Sequence, residues 1–124
     1  MSNFSWGILG PGGIAQAFAK DLTFIEGHTV GAVGSRSITN AQSFANTFGG
    51  TAYGSYEELV ASDVDAIYVA TPHPMHFANA LLAMQAGKPV LCEKAFTVNA
   101  QQTKTLIEYS QSNRVPLMEA MWTR

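Results

Sequence analysis

Three glycines stand within four residues near the start of the chain, in Gly10-Pro11-Gly12-Gly13. Phe4–Leu9, just before them, reads as a buried strand. Ile14, Ala15, Phe18, Ala19 and Leu22, just after, recur at helical spacing. A strand that becomes a helix through such a turn constrains the fold more than any other stretch here. Gly10 permits the sharp turn. Gly12 lets the backbone come closer to a ligand than a side chain would allow, and Ala15 lets the helix pack tightly on the strand. Gly10–Ala15 fits G-x-G-x-x-A, and the free N–H groups at the helix start suit an anion such as a pyrophosphate. Gly10, Gly12, Gly13 and Ile14 are therefore candidate cofactor contacts. The plain alternative is a glycine turn that holds nothing.

The remaining pattern argues against that alternative. Thr29–Val33 reads as a second strand. Ala41, Phe44, Ala45 and Phe48 form a helical stripe ended by Gly49-Gly50. A short strand at Thr51–Tyr53 precedes Ser55-Tyr56-Glu57-Glu58, which has the spacing of a capping box and starts a short helix. Asp65–Ala70 reads as a fourth strand. Pro74 suits a first helical position, and Phe77, Leu81 and Met84 carry that helix to Gly87. Pro89–Glu93 is a fifth strand, Asn99 caps a helix carrying Leu106, Ile107 and Tyr109, and Pro116–Ala120 is a sixth strand. Apolar strands alternating with helices predict a parallel sheet covered on both faces. The expected fold class is α/β, a doubly wound parallel sheet, with residues 1–124 forming one dinucleotide-binding domain. Ligands of such sheets sit beyond the carboxyl ends of the strands, so the loops there hold the candidate residues.

The second strand ends in AVGSRS. An Asp or Glu there would take the ribose hydroxyls of NAD, yet no acid occurs between Glu26 and Glu57. Arg36, between Ser35 and Ser37, is a suitable phosphate receptor. NADP(H) is thus expected to be preferred over NAD(H), against the plain reading of a solvated surface Arg. After the fourth strand come Thr71, Pro72, His73 and His76. His76 either contacts the ligand or helps to start the helix. The spacing of His73, His76 and Cys92 matches no zinc pattern, so no metal is expected. After the fifth strand, Glu93-Lys94 enters the ligand crevice. A lysine there can exchange a proton with an alcohol or carbonyl oxygen during hydride transfer, the plain alternative being a surface Lys.

Composition removes other classes. With 47% hydrophobic residues the chain can build a core, and a net charge of −2 offers no footprint for nucleic acid or anionic membranes. One cysteine allows no internal disulfide, and no run approaches membrane-spanning length or signal-peptide form. A soluble cytoplasmic protein is the expectation.

The pieces GILGPGGIA, AVGSRS, YGSYEELV, DVDAIYVATPHPMHFANALLAMQAGKPVLCEKAFT and VPLMEAMWTR together resemble the nucleotide-binding half of the glucose–fructose oxidoreductase and inositol dehydrogenase (Gfo/Idh/MocA) family. The ending MEAMWTR resembles its dimeric dihydrodiol dehydrogenase branch, which includes xylose dehydrogenases. The resemblance implies an oxidoreductase acting on a CH–OH or C=O group of a sugar, polyol or trans-dihydrodiol. It implies that Lys94 is the active-site lysine of a Glu-Lys-Pro motif. It places Thr71, Pro72 and His76 along the cofactor and Trp122 and Arg124 near the substrate. Two positions depart from the pattern: Ala95 stands where Pro is usual, and His73 where Asn is usual. The resemblance further implies a second domain absent from this chain and a homo-oligomeric full-length protein. On that expectation the isolated chain binds cofactor without turnover. A dinucleotide-binding module without chemistry is the alternative.

Overall fold

The structure, a computed structural model, describes residues 4–71, 75–93 and 100–120. Strands and helices alternate throughout: β1 (Phe4–Leu9), α1 (Gly13–Leu22), β2 (His28–Gly34), α2 (Ile38–Phe48), β3 (Thr51–Tyr53), α3 (Tyr56–Val60), β4 (Ala66–Val69), α4 (His76–Gln85), β5 (Val90–Glu93), α5 (Ala100–Asn113) and β6 (Leu117–Ala120). The strands form one sheet in the order β3-β2-β1-β4-β5-β6, and every pairing is parallel. The expected doubly wound sheet is present.

Strand periodicity divides the core into two layers. Ile8, Val33 and Tyr68 face α1 and α2, where they pack with Ala15, Phe18, Ala19, Leu22, Ala41 and Phe44. Their neighbours Leu9, Ala32, Ile67 and Val69 face the other way and join Leu59, Ala80, Ala83, Met84, Cys92 and Leu106. The Phe18 and Tyr68 rings stack with centroids 3.9 Å apart and planes 8° from parallel. Cys92 is fully buried within β5.

Local chemistry sets the helix ends. Ser37 caps α2, its Oγ accepting from the Asn40 N–H at 3.3 Å. Gly49 ends that helix at φ +95°, donating to the Ala45 carbonyl at 2.7 Å. At α3, Ser55 Oγ accepts from the Glu58 N–H at 3.2 Å and donates to the Glu58 carboxylate at 3.0 Å. The predicted capping-box pair is thus in contact. One expectation needs correction. Ile14 does not belong to the buried stripe of α1 and is 55% exposed, whereas Ala15 is fully buried. A step of one residue turns about 100° around the helix, which takes Ile14 off the sheet-facing side. Pro74 and Asn99 lie outside the described residues.

Candidate functional site

The register brings Leu9, Gly34, Tyr53, Val69 and Cys92 to one end of the sheet, so the loops that follow them share that end. Between β1 and β4 the chain departs to opposite faces, α1 covering one and α4 the other. This is the switch point at which a doubly wound sheet opens a crevice. Its two lips touch. Gly10 has φ +99° and donates to the Gly34 carbonyl at 3.0 Å. A Cβ on Gly10 would lie 2.8 Å from Thr71 Cγ2 and 3.2 Å from Thr71 N. Only glycine accommodates both the angle and the neighbour.

Gly12 and Gly13 differ: a Cβ at either would meet nothing within 4 Å. Among the described residues, the space over the start of α1 is therefore open. No side chain caps that end, and its first turn holds no acid. The first N–H groups of a helix lack intrahelical acceptors and carry partial positive charge. An open, unacidified helix start whose glycines leave room for close approach fits a pyrophosphate.

At the end of β2 the three predicted residues divide their tasks. Ser35 is buried; its N–H donates to the Tyr53 carbonyl at 3.2 Å, and its Oγ accepts from the Ser37 N–H at 3.1 Å. Ser37 caps α2. These serines shape the loop, and Arg36 stands exposed between them. The guanidinium carbon of Arg36 lies over the Tyr56 ring, 5.7 Å from its centroid. Beside them is a cleft of about 400 Å³ lined by Arg36, Gly54, Ser55, Tyr56, Glu57, Ala78, Asn79 and Leu82. A cleft of about 540 Å³ between α1 and α2 borders Pro11 and Gly12 and carries uncharged polar groups, among them Gln16, Asn40 and Ser43.

At the end of β4 the polar groups are inward. Thr71, His76 and Asn79 are all buried. His76 Nε2 lies 2.6 Å from the Thr71 carbonyl, to which its ring N–H donates, and Asn79 Nδ2 donates to Thr71 Oγ1 at 2.8 Å. The two side chains of α4 thus fix Thr71 against the glycine turn. His76 thus braces the loop before α4, a role distinct from the ligand contact and the helix start named above. Sequence reasoning missed Asn79 and Tyr56. Asn79 was within reach: it falls with His76, Ala80 and Ala83 on the buried face of α4, where a polar residue needs a partner.

Glu93 ends β5, in register with Ala120 of β6. Pro72, His73, Lys94, Ala95, Trp122 and Arg124 lie outside the described residues. Among the described residues, no group of three His, Cys, Asp or Glu side chains gathers as a metal site would, and no helix is long and apolar enough to cross a membrane.

A parallel sheet in this order, with a glycine turn and an open helix start at its switch point, defines a dinucleotide-binding Rossmann domain. The chain belongs to the Gfo/Idh/MocA oxidoreductase family with an NAD-binding Rossmann fold, which it matches over residues 4–121. It is 48% identical to the D-xylose 1-dehydrogenase (NADP(+)) of Hypocrea jecorina, a match covering 96% of this chain and 34% of that protein. It is 43% identical to the trans-1,2-dihydrobenzene-1,2-diol dehydrogenase of Mus musculus, over 96% of this chain and 37% of that one. Among solved structures, KijD10, a 3-ketoreductase from Actinomadura kijaniata crystallised with NADP and TDP-benzene, superposes with a TM-score of 0.91 at 32% identity, over 95% of this chain and 37% of that one. The chain spans about a third of the length of the curated relatives it matches.

Proposed function

We propose that the chain is the cofactor-holding domain of an NADP(H)-dependent oxidoreductase acting on a CH–OH or C=O group of a sugar, polyol or trans-dihydrodiol. The observation that carries this reading is the exposed Arg36 beyond β2, where an acid would select NAD, beside the open glycine turn. The names of the xylose and dihydrodiol dehydrogenases support the substrate class, and NADP in the name of one relative and in the KijD10 crystals supports the cofactor.

The N–H groups of Gly12, Gly13 and Ile14 hold the pyrophosphate, and Gly10 keeps the turn against Thr71. The Arg36 guanidinium, with Ser35 and Ser37 shaping its loop, takes the 2′-phosphate. Thr71, Pro72 and His76 form the wall on the β4 side. When bound, the nicotinamide supplies or accepts the hydride. Lys94, following Glu93, passes a proton to or from the substrate oxygen, and Trp122 and Arg124 border the substrate. Full-length homo-oligomers and a cytoplasmic location accompany this reading.

Titration with NADPH and NADH tests it. One charge-assisted contact of ~1.5–3 kcal/mol implies an NADPH preference of about tenfold to a hundredfold. Arg36→Ala should weaken NADPH binding by that factor and leave NADH binding unchanged. Equal affinities in the parent, or an NADH preference, sink the assignment.

A further inference from the structure

Arg36 and Tyr56 differ in freedom. Tyr56 is half-buried against the core layer of β1, β4 and α4, and it opens α3 directly after the Ser55 cap. The hydrogen bond from the Ser35 N–H to the Tyr53 carbonyl ties the loop of Arg36 to the strand leading into Tyr56. The ring is therefore fixed relative to the backbone of Arg36. Arg36 itself is exposed, and a long solvated side chain carries large rotamer freedom. Its guanidinium nevertheless lies over the ring at 5.7 Å, inside the range of a cation–π contact. A cation–π contact draws the guanidinium toward the ring face without using up its N–H donors, which stay available to an anion. Among the described residues lining the same cleft is one acid, Glu57, a competing partner if the arginine swings away.

We propose that Tyr56 is a positioning residue for cofactor choice: the attraction of its ring for the Arg36 guanidinium narrows the arginine's rotamers, keeps it from Glu57 and holds its donors ready for the 2′-phosphate. The proposal rests on the NADP(H) reading above. Tyr56 touches the arginine and acts on the cofactor through it. Its loss should therefore weaken binding of the 2′-phosphorylated cofactor alone.

The test is titration of the full chain with NADPH and with NADH, followed by nicotinamide fluorescence. Tyr56→Phe keeps the π face and should match the parent with both cofactors. Tyr56→Leu should weaken NADPH binding roughly twofold to fivefold, the equivalent of an exposed cation–π contact, with NADH binding unchanged. In an Arg36→Ala background, Tyr56→Leu should have no further effect. Pentafluorophenylalanine at position 56 keeps the bulk of the ring, reverses its quadrupole and should reproduce the loss, so the test survives if the leucine variant packs poorly. An equal loss for both cofactors, or no loss in either ring-altered variant, overturns the proposal. If the parent prefers NADPH and Arg36→Ala removes that preference while position 56 leaves it intact, only the role of Tyr56 fails. If the parent shows no preference, the NADP(H) reading fails and Tyr56 falls with it.

Discussion

Gly10 and Gly12 stand two residues apart and answer to different demands. Gly10 is a folding requirement, with φ +99° and Thr71 against its missing Cβ. Gly12 has ordinary φ and, among the described residues, no neighbour where a side chain would go, so on the proposed reading its demand comes from the cofactor. Gly10→Val should destabilise the domain by ~2–4 kcal/mol through combined backbone strain and overpacking. Gly12→Val should keep the parental circular dichroism and Tm yet lose dinucleotide binding. Retention of full affinity by Gly12→Val would reduce the motif to a turn. The motif spacing was readable because its parts are adjacent in sequence. The Tyr56 contact with Arg36 was not, because the pair meets only once β3 has aligned beside β2. The bracing role of His76 was likewise not readable, because its partner, the Thr71 carbonyl 2.6 Å from its ring, is set by the fold of the loop.

At the scale of elements, strands and caps were legible where side-chain period and local hydrogen bonding point the same way. Ala66–Val69 is buried at every position, as a central parallel strand requires. Ser55 with Glu58 marked the start of α3, and Gly49 the end of α2. Burial around a helix was less legible: Ile14 extended the apolar stripe of α1 in sequence but not in space. The short α3 depends most on its cap, since a helix of 5 residues cannot sustain itself in water. Ser55→Ala should therefore cost ~0.5–2 kcal/mol in denaturant unfolding. A change below about 0.2 kcal/mol would show that packing of Leu59 and Val60 holds α3 without the cap.

At the scale of the whole molecule, the proposed chemistry separates holding from reacting. On that proposal the Rossmann domain would grip the cofactor through backbone and Arg36, while Lys94 would move a proton. In a preparation that turns over substrate, Lys94→Met should lower kcat by roughly 10²–10⁴-fold with cofactor affinity little changed. Steady-state absorbance of the reduced nicotinamide reads this; a parental kcat would leave the lysine no part in proton transfer. The strand order has a further consequence, for the order of events at the ribosome. β1 lies inside the sheet, and one of its neighbours, β4, is made much later; the Ser5 N–H donates to Asp65 Oδ2 at 2.7 Å across 60 residues of sequence. At ~5–20 residues per second, that neighbour emerges roughly 3–12 s after β1. During this interval β1 offers an open edge to chaperones or to other nascent chains. The turn that defines the domain is translated well before β4, and the Thr71 lip of its crevice arrives only after that strand.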